Sequence, residues 1–329
     1  MVTPERIFDT FNAYLQTASL KGAIELDLFT AIGEGNDAVH AIAKRIGASE
    51  RGTRILCDFL TIHQFLQKDG GHYKLTAESA TFLDRRSPAY IGAIGGFLSE
   101  IRNQRFFDDV AAIVRKGGTI TGQGSIEDEH PIWVEFARSM APMMEMPSRQ
   151  MAEILSVPAG QSLKVLDIAA GHGLFGIAIA QKNPQAEVFA LDWAPVLAVA
   201  TENASKRGVA SRHHVIEGSA FDASFGKDYD LVLLTNFLHH FDPPTCETLL
   251  RKVHAALKPG GRVGTLEFVP NDDRITPPSA AGFSMMMLGT TPSGDAYTFT
   301  EFEKMFENSG FSGSDIHNVP PGSLIVSRA

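Results

Sequence analysis

The chain has 329 residues, 44% of them apolar and 20% charged, the composition of a folded globular protein whose length points to two domains. Lys and Arg number 29 against 38 Asp and Glu, a formal net charge of −9, which argues against nucleic acid or an anionic membrane as the main partner. The two cysteines, Cys57 and Cys246, lie far apart, so neither a disulfide framework nor a paired-cysteine metal site is expected. No apolar leader and no run of roughly 18 apolar residues is visible, so a reducing, cytoplasmic setting without a membrane span is predicted.

Residues 1–100 read as short helices closed by a hairpin. Phe11, Tyr14, Leu15 and Ala18 recur at helical spacing, as do Ile24, Leu28 and Phe29. Two helical runs between Asp37 and Leu60 break at Gly47-Ala48-Ser49-Glu50, with Ser49 as the N-cap of the second. Phe65–Lys68, Asp69-Gly70-Gly71 and His72–Leu75 then read as strand, turn and strand. Helix–turn–helix plus hairpin is a winged helix. Its charges are ten Lys/Arg against twelve Asp/Glu, so it lacks the basic face of a DNA reader and suits protein contact instead.

Residues 101–155 read as an interdomain helical segment interrupted by the glycine-rich loop Lys116–Gly124. Met140, Met144 and Met151 fall near one helical face, with Met143 and Met146 beside them; such a stripe serves core packing or a flat ligand. From 156 to 329 strands alternate with helices. Leu163–Ile168, Glu187–Asp192, His214–Glu217, Asp230–Thr235, Arg262–Phe268, Asp315–His317 and Ser323–Val326 are the predicted strands. The alternation predicts an α/β domain with a mostly parallel seven-stranded sheet. Ligands of such sheets bind at the carboxyl ends of the strands.

Gly171-His172-Gly173-Leu174-Phe175-Gly176 follows the first of these strands, and Asp192 ends the second. Alone, that spacing fits a dinucleotide fingerprint. Asp167, however, ends the first strand, where a carboxylate repels a pyrophosphate but can meet a cationic amine directly or through water. The loop also lies late in the chain, and Leu257-Lys258-Pro259-Gly260-Gly261-Arg262 makes a turn into the fifth strand. This set resembles the class I S-adenosylmethionine-dependent methyltransferases, whose sheet is Rossmann-like. The glycines let the backbone approach the donor's amino-acid end. Asp192 can accept from both ribose hydroxyls. Trp193 offers an apolar face to adenine.

The whole chain resembles the plant caffeate-type and bacterial small-molecule O-methyltransferases, including the acetylserotonin type. Leu20–Phe29, Val165–Gly173, Asn236–Phe241 and Gly294–Phe299 carry the likeness. The resemblance implies an N-terminal winged-helix dimerisation domain, a homodimer, and S-adenosylhomocysteine as a product. It places Gly171, Gly173, Asp192, Ser219, Ala220, Phe221 and Thr235 at the cofactor, His239 as general base, and Glu267 as the acid that orients it. The chain departs from the family pattern at Ala169, in place of a glycine; at Thr235, in place of a lysine; at His240, in place of an Asp; and at Ala296, in place of a second acid near the base.

The expected reaction is displacement of the sulfonium methyl by a hydroxyl of a small, hydroxylated, aromatic or polyketide-like acceptor. The acceptor pocket is expected between the domains. Its candidate residues are Trp133, Phe136, Met140, Met143 and Met144, with Phe283, Met286 and Met287 after the fifth strand. Adjacent histidines such as His239 and His240 cannot converge on one ion from a strand, so no metal is expected. Ile91, Ile94, Phe97 and Leu98 are apolar residues that a small winged domain cannot all bury alone, which favours a dimer. The alternatives are transfer to N or C, use of the cofactor without methyl transfer, a nicotinamide-dependent dehydrogenase, and a ligand-responsive winged-helix regulator.

Overall fold

A computed structural model describes residues 2–98, 105–122, 124, 132–158 and 160–329. The chain forms two compact units, Met1–Gln104 and Arg105–Ala329. The first holds α1 (Glu5–Asn12), α2 (Tyr14–Glu25), α3 (Leu28–Gly33), α4 (Val39–Ile46) and α5 (Glu50–Ile62), then the hairpin β1 (Leu66–Asp69) and β2 (His72–Leu75), α6 (Ala77–Phe82) and α7 (Ala93–Leu98). Gly47, at φ +67, stops α4, and the Ser49 hydroxyl accepts from Gly52 N–H at 3.1 Å to start α5. Phe29, Ile42, Cys57, Leu60, Leu66 and Tyr73 close the core of this winged helix. Ile94 is buried within this unit, while the side chains of Phe97 and Leu98 lie outside the described residues. Among the described residues, Ile7, Phe8, Phe11 and Tyr14, on α1 and the start of α2, leave apolar surface uncovered, each at least 60% exposed.

The second unit begins with α8 (Val110–Lys116) and α9 (Ile132–Ile154). Then come β3 (Leu163–Ile168), α10 (Leu174–Lys182), β4 (Ala186–Asp192), α11 (Ala194–Lys206), β5 (His213–Glu217), β6 (Tyr229–Thr235), α12 (Pro243–Ala256), β7 (Leu257–Glu267), α13 (Pro278–Thr290), α14 (Phe299–Asn308), β8 (Ser314–Val319) and β9 (Gly322–Arg328). The seven strands lie in the order β5-β4-β3-β6-β7-β9-β8. The first five pair in parallel and β9 runs antiparallel to both its neighbours. Val165, Leu166 and Leu231–Leu234 are fully buried because helices cover both faces of the sheet.

The Pro259-Gly260-Gly261 turn lies within the span of β7, with Gly260 at φ +77. Leu257 already pairs with Tyr229, and the register shifts before Leu231 meets Arg262, so the segment is an irregularity within β7. The third glycine of the loop, Gly176, has a steric task. A Cβ there would stand 2.6 Å from Val188 Cγ1 and 2.9 Å from Asp167 Oδ2, so α10 packs this closely on β3 and β4 only with glycine at that position.

Candidate active site

The carboxyl ends of β3, β4, β5 and β6 open into a cavity of ≈ 240 Å³ within the second unit. The loop after β3 is shaped by left-handed backbone at Ala169, Gly171 and Gly173, with φ of +53, +56 and +74. Ala169 thus takes the conformation that a glycine would favour. Around Gly171 a Cβ would meet only Ala169 O, at 3.9 Å, so open space faces the loop at this point. Gly173 does not reach the cavity. It faces α11, where a Cβ would come within 2.8 Å of Ala200 Cβ.

Asp192 lines the cavity at the tip of β4. Its oxygens accept from Gly171 N–H at 2.8 Å and Trp193 N–H at 2.7 Å, which ties the glycine loop to the neighbouring strand. A carboxylate has about four acceptor positions, so two remain for a ligand. Burial pushes the Asp192 carboxyl up to about 6, against the opposing pull of those two amides. Asp167 is placed differently from the direct contact its strand-end position allows. It is fully buried behind the loop and is not part of the cavity wall. Its Oδ2 accepts from Gly176 N–H at 3.0 Å, and its Oδ1 has no partner among the described residues. Desolvation pushes this carboxyl up to about 7.

Trp193, Ser219, Ala220, Phe221 and Thr235 also line the cavity. Trp193 packs at the same time against Trp133, Ala137 and Val196, so it is both wall and anchor. An adenosine-like group with a polar tail fits this wall: apolar and aromatic faces, one carboxylate at a strand tip, and open space over a glycine.

Glu267, at the end of β7, is fully buried and carries a network. Its Oε1 accepts from Phe237 N–H at 2.9 Å and Leu238 N–H at 2.8 Å, and its Oε2 lies 2.5 Å from His239 Nδ1. These bonds hold the short 3-10 turn Leu238–His240 after β6. A carboxylate can only accept, so Nδ1 bears the proton and the neutral ring keeps its lone pair on Nε2. Phe283 stands edge-on to the His239 ring at 4.9 Å and is stacked on Phe268 at 4.1 Å. His239 is 4% exposed and sits next to His240, which does line the cavity.

The predicted acceptor residues divide. Trp133 and Phe136 line the cavity, with rings 5.7 Å apart, and the Trp133 ring is 5.6 Å from that of His240. Met140, Met143 and Met144 do not line it. They pack into the core that includes Leu174 and Phe175 on α10, because α10 lies along that face of α9. Met287 is buried away from the cavity and Met286 is 42% exposed. Among the wall residues beyond the predicted set are His172, Phe237 and Phe241. The aromatic run after β6 was the signal for the last two; His172 was hidden between the two glycines. Among the described residues no group of three or more His, Cys, Asp or Glu is placed to hold a metal ion, and no helix is long and apolar enough to cross a membrane.

Comparison with known proteins agrees with this geometry. The family profile of the O-methyltransferase domain matches residues 99–312, and that of the O-methyltransferase dimerisation domain matches residues 8–85. The 3-hydroxy-5-methyl-1-naphthoate 3-O-methyltransferase of Streptomyces sahachiroi is 26% identical over 94% of this chain and 90% of its own. The tetracenomycin polyketide synthesis 8-O-methyl transferase of Streptomyces glaucescens is 22% identical over 99% and 96%. A crystallised candidate O-methyltransferase from Nostoc punctiforme superposes with a TM-score of 0.95 at 51% identity over the full length of both chains. Human N-acetylserotonin methyltransferase, solved with S-adenosylmethionine, shares the fold at a TM-score of 0.84 and 22% identity over 100% of this chain and 98% of that one. The chain belongs to the S-adenosylmethionine-dependent O-methyltransferase family, with a methyltransferase domain joined to a dimerisation domain.

Proposed function

We propose that this protein methylates a hydroxyl of a small aromatic or polyketide-like acceptor, with His239 as the general base. The observation that carries the reading is the buried 2.5 Å contact between His239 Nδ1 and Glu267 Oε2, in the turn whose next residue lines the cavity. When bound, S-adenosylmethionine supplies a methyl group already activated on a sulfonium. Gly171, Asp192, Trp193, Ser219, Ala220, Phe221 and Thr235, which line the cavity together, would hold it.

His239 Nε2 takes the acceptor's hydroxyl proton, and Glu267 stabilises the resulting imidazolium through Nδ1. Trp133 and Phe136 position a flat ring against the turn. Orientation of the reacting groups supplies roughly 7–11 kcal/mol. Proton removal by a positioned base adds about 10²–10⁴ in rate. The two Streptomyces relatives, named for a naphthoate and a polyketide, support this acceptor class.

An acceptor screen with a methyl-labelled donor tests the reading. Label is expected on a phenolic or enolic oxygen. His239→Ala is expected to lower turnover by roughly 10²–10⁴ while S-adenosylhomocysteine still binds. Label found only on nitrogen or carbon acceptors overturns the oxygen assignment. The apolar α1 face and the matched dimerisation domain support a homodimer. Sedimentation is expected at twice the 35.6 kDa chain mass.

A further inference from the structure

One buried polar side chain of the cavity wall has no part in the mechanism above. His172 stands between Gly171 and Gly173 and is 6% exposed. Its Nδ1 accepts from Leu174 N–H, the first amide of α10, at 3.1 Å. A nitrogen that accepts carries no proton, so the proton of the neutral ring is on Nε2. Nε2 meets no hydrogen-bond partner among the described residues, yet it is not one of the sealed, unpartnered atoms of the interior. Burial, helped by the Arg207 guanidinium and opposed by Glu145, pushes the imidazole down to about 4, so the ring is neutral at pH 7.

The wall of the cavity holds no Lys or Arg among the described residues, and Asp192 is its one carboxylate. A zwitterionic amino-acid end entering such a site brings an anion that no Lys or Arg of the described wall meets. Burying that anion requires neutral hydrogen-bond donors. The strand order decides where they must be. With the sugar on Asp192 at the tip of β4 and the base over Ser219–Phe221 at the tip of β5, the remaining end of the ligand falls at the tip of β3. That tip carries the glycine loop, His172, and the amino end of α10, whose field favours an anion.

We propose that His172 binds the carboxylate of the methyl donor's amino-acid end through Nε2–H, so that a neutral donor does the work of a charged residue. This rests on the proposal that the cavity takes S-adenosylmethionine with its sugar at Asp192. The consequence is selectivity: the contact serves ligands that carry the carboxylate and adds nothing for those that lack it.

Calorimetry on the full chain tests this with two nucleosides. One is S-adenosylhomocysteine; the other is its decarboxylated analogue, S-adenosyl-3-thiopropylamine, which keeps the amine. The variant is His172→Asn, whose side-chain oxygen can still accept from Leu174 N–H but which offers no donor at the Nε2 position. His172→Phe, which keeps the ring volume and neither nitrogen, is the second variant should the first not fold. The expected result is a loss of roughly ten- to a hundredfold in affinity for S-adenosylhomocysteine, the size of a hydrogen bond to a charged group. Affinity for the decarboxylated analogue is expected to change by less than about twofold, because the missing partner makes the donor irrelevant. Equal losses for both ligands, or no loss for either, overturn the proposal while leaving the site assignment intact. Failure of the unchanged protein to bind S-adenosylhomocysteine overturns the site assignment and the proposal with it.

Discussion

The sheet carries buried carboxylates at two corners, and they are treated in opposite ways. At the β3–β4 corner Asp167 has one oxygen on Gly176 N–H and the other on no partner among the described residues, and it is pushed up to about 7. Asp192 beside it is pushed up to about 6 in spite of two amide donors. At the β6–β7 corner Glu267 is as deeply buried as Asp167, yet it takes two backbone N–H groups and the His239 imidazole. A fully satisfied carboxylate fixes its neighbours in one geometry, and a partly satisfied one stores a desolvation cost that a ligand can relieve. Of the two carboxylates at the first corner, Asp192 lines the cavity with acceptor positions to spare, while Asp167 is sealed behind the loop. The second corner is built before anything binds.

The sharpest way to break the second corner is Glu267→Gln. The amide oxygen can keep the Phe237 and Leu238 N–H groups, but its NH₂ now donates to His239 Nδ1. The ring is thereby forced into the tautomer that protonates Nε2, and the base is lost. Turnover is expected to fall by about 10²–10⁴, with S-adenosylhomocysteine affinity unchanged within about twofold, as read by single-turnover methyl transfer and calorimetry. Glu267→Ala adds instability to this, because three donors are orphaned at about 1–3 kcal/mol each. A Gln variant with full turnover refutes the role given to the corner.

The first corner is expected to respond in binding and not in chemistry. Asp192→Ala removes the acceptors proposed for the donor's sugar and unties Gly171 from β4. S-adenosylhomocysteine affinity is expected to drop by roughly ten- to a hundredfold or more, the cost of about 1.5–3 kcal/mol for charge-assisted bonds. Intact affinity removes Asp192 from the cofactor site.

The contrast also shows what could be read before folding. Asp192 and the glycine loop were legible as strand-tip features because the tips follow directly from buried Val, Ile and Leu runs; His239 and Glu267 were singled out by the family resemblance, and the structure brings their side chains together. Ser49 was legible because a cap is a local affair. The depth of Asp167 was not, since it depends on α10 lying against β3 through Gly176. The methionines of α9 were not either. The same periodicity serves a core or a cavity, and only the position of α10 decides that Met140, Met143 and Met144 are core. That the Pro259-Gly260-Gly261 turn falls inside β7 was not legible, because Leu257, just before it, pairs with Tyr229, far back in the sequence.

A smaller effect concerns pH. Folded Asp167 titrates at about 7, above the ordinary carboxyl value near 3.8. Between those values the folded protein holds a proton that the unfolded chain has released. The stability this group contributes is therefore complete below the ordinary carboxyl range and is lost as pH rises through about 7. Asp167→Asn removes that dependence. Relative to the unchanged protein, the variant is expected to gain on going from pH 5 to pH 8, by about 2–6 °C in thermal midpoint. A difference that is flat with pH, or that shrinks toward pH 8, contradicts the unsatisfied state of this carboxylate.

The smallest effect distinguishes the shape of the first corner from its charge. Ala169 holds φ +53 at the start of the loop, a conformation that costs a residue with a Cβ about 1–2 kcal/mol and glycine almost nothing. Ala169→Gly relieves that strain but gives the unfolded chain more freedom, worth about 0.4–1 kcal/mol in the other direction. The variant is therefore expected to be more stable by at most about 1 kcal/mol in urea unfolding, with S-adenosylhomocysteine affinity within about twofold of the original. A loss of stability shows that Ala169 is unstrained at this position. A large change in affinity shows that its methyl group takes part in the wall, where it already lines the cavity.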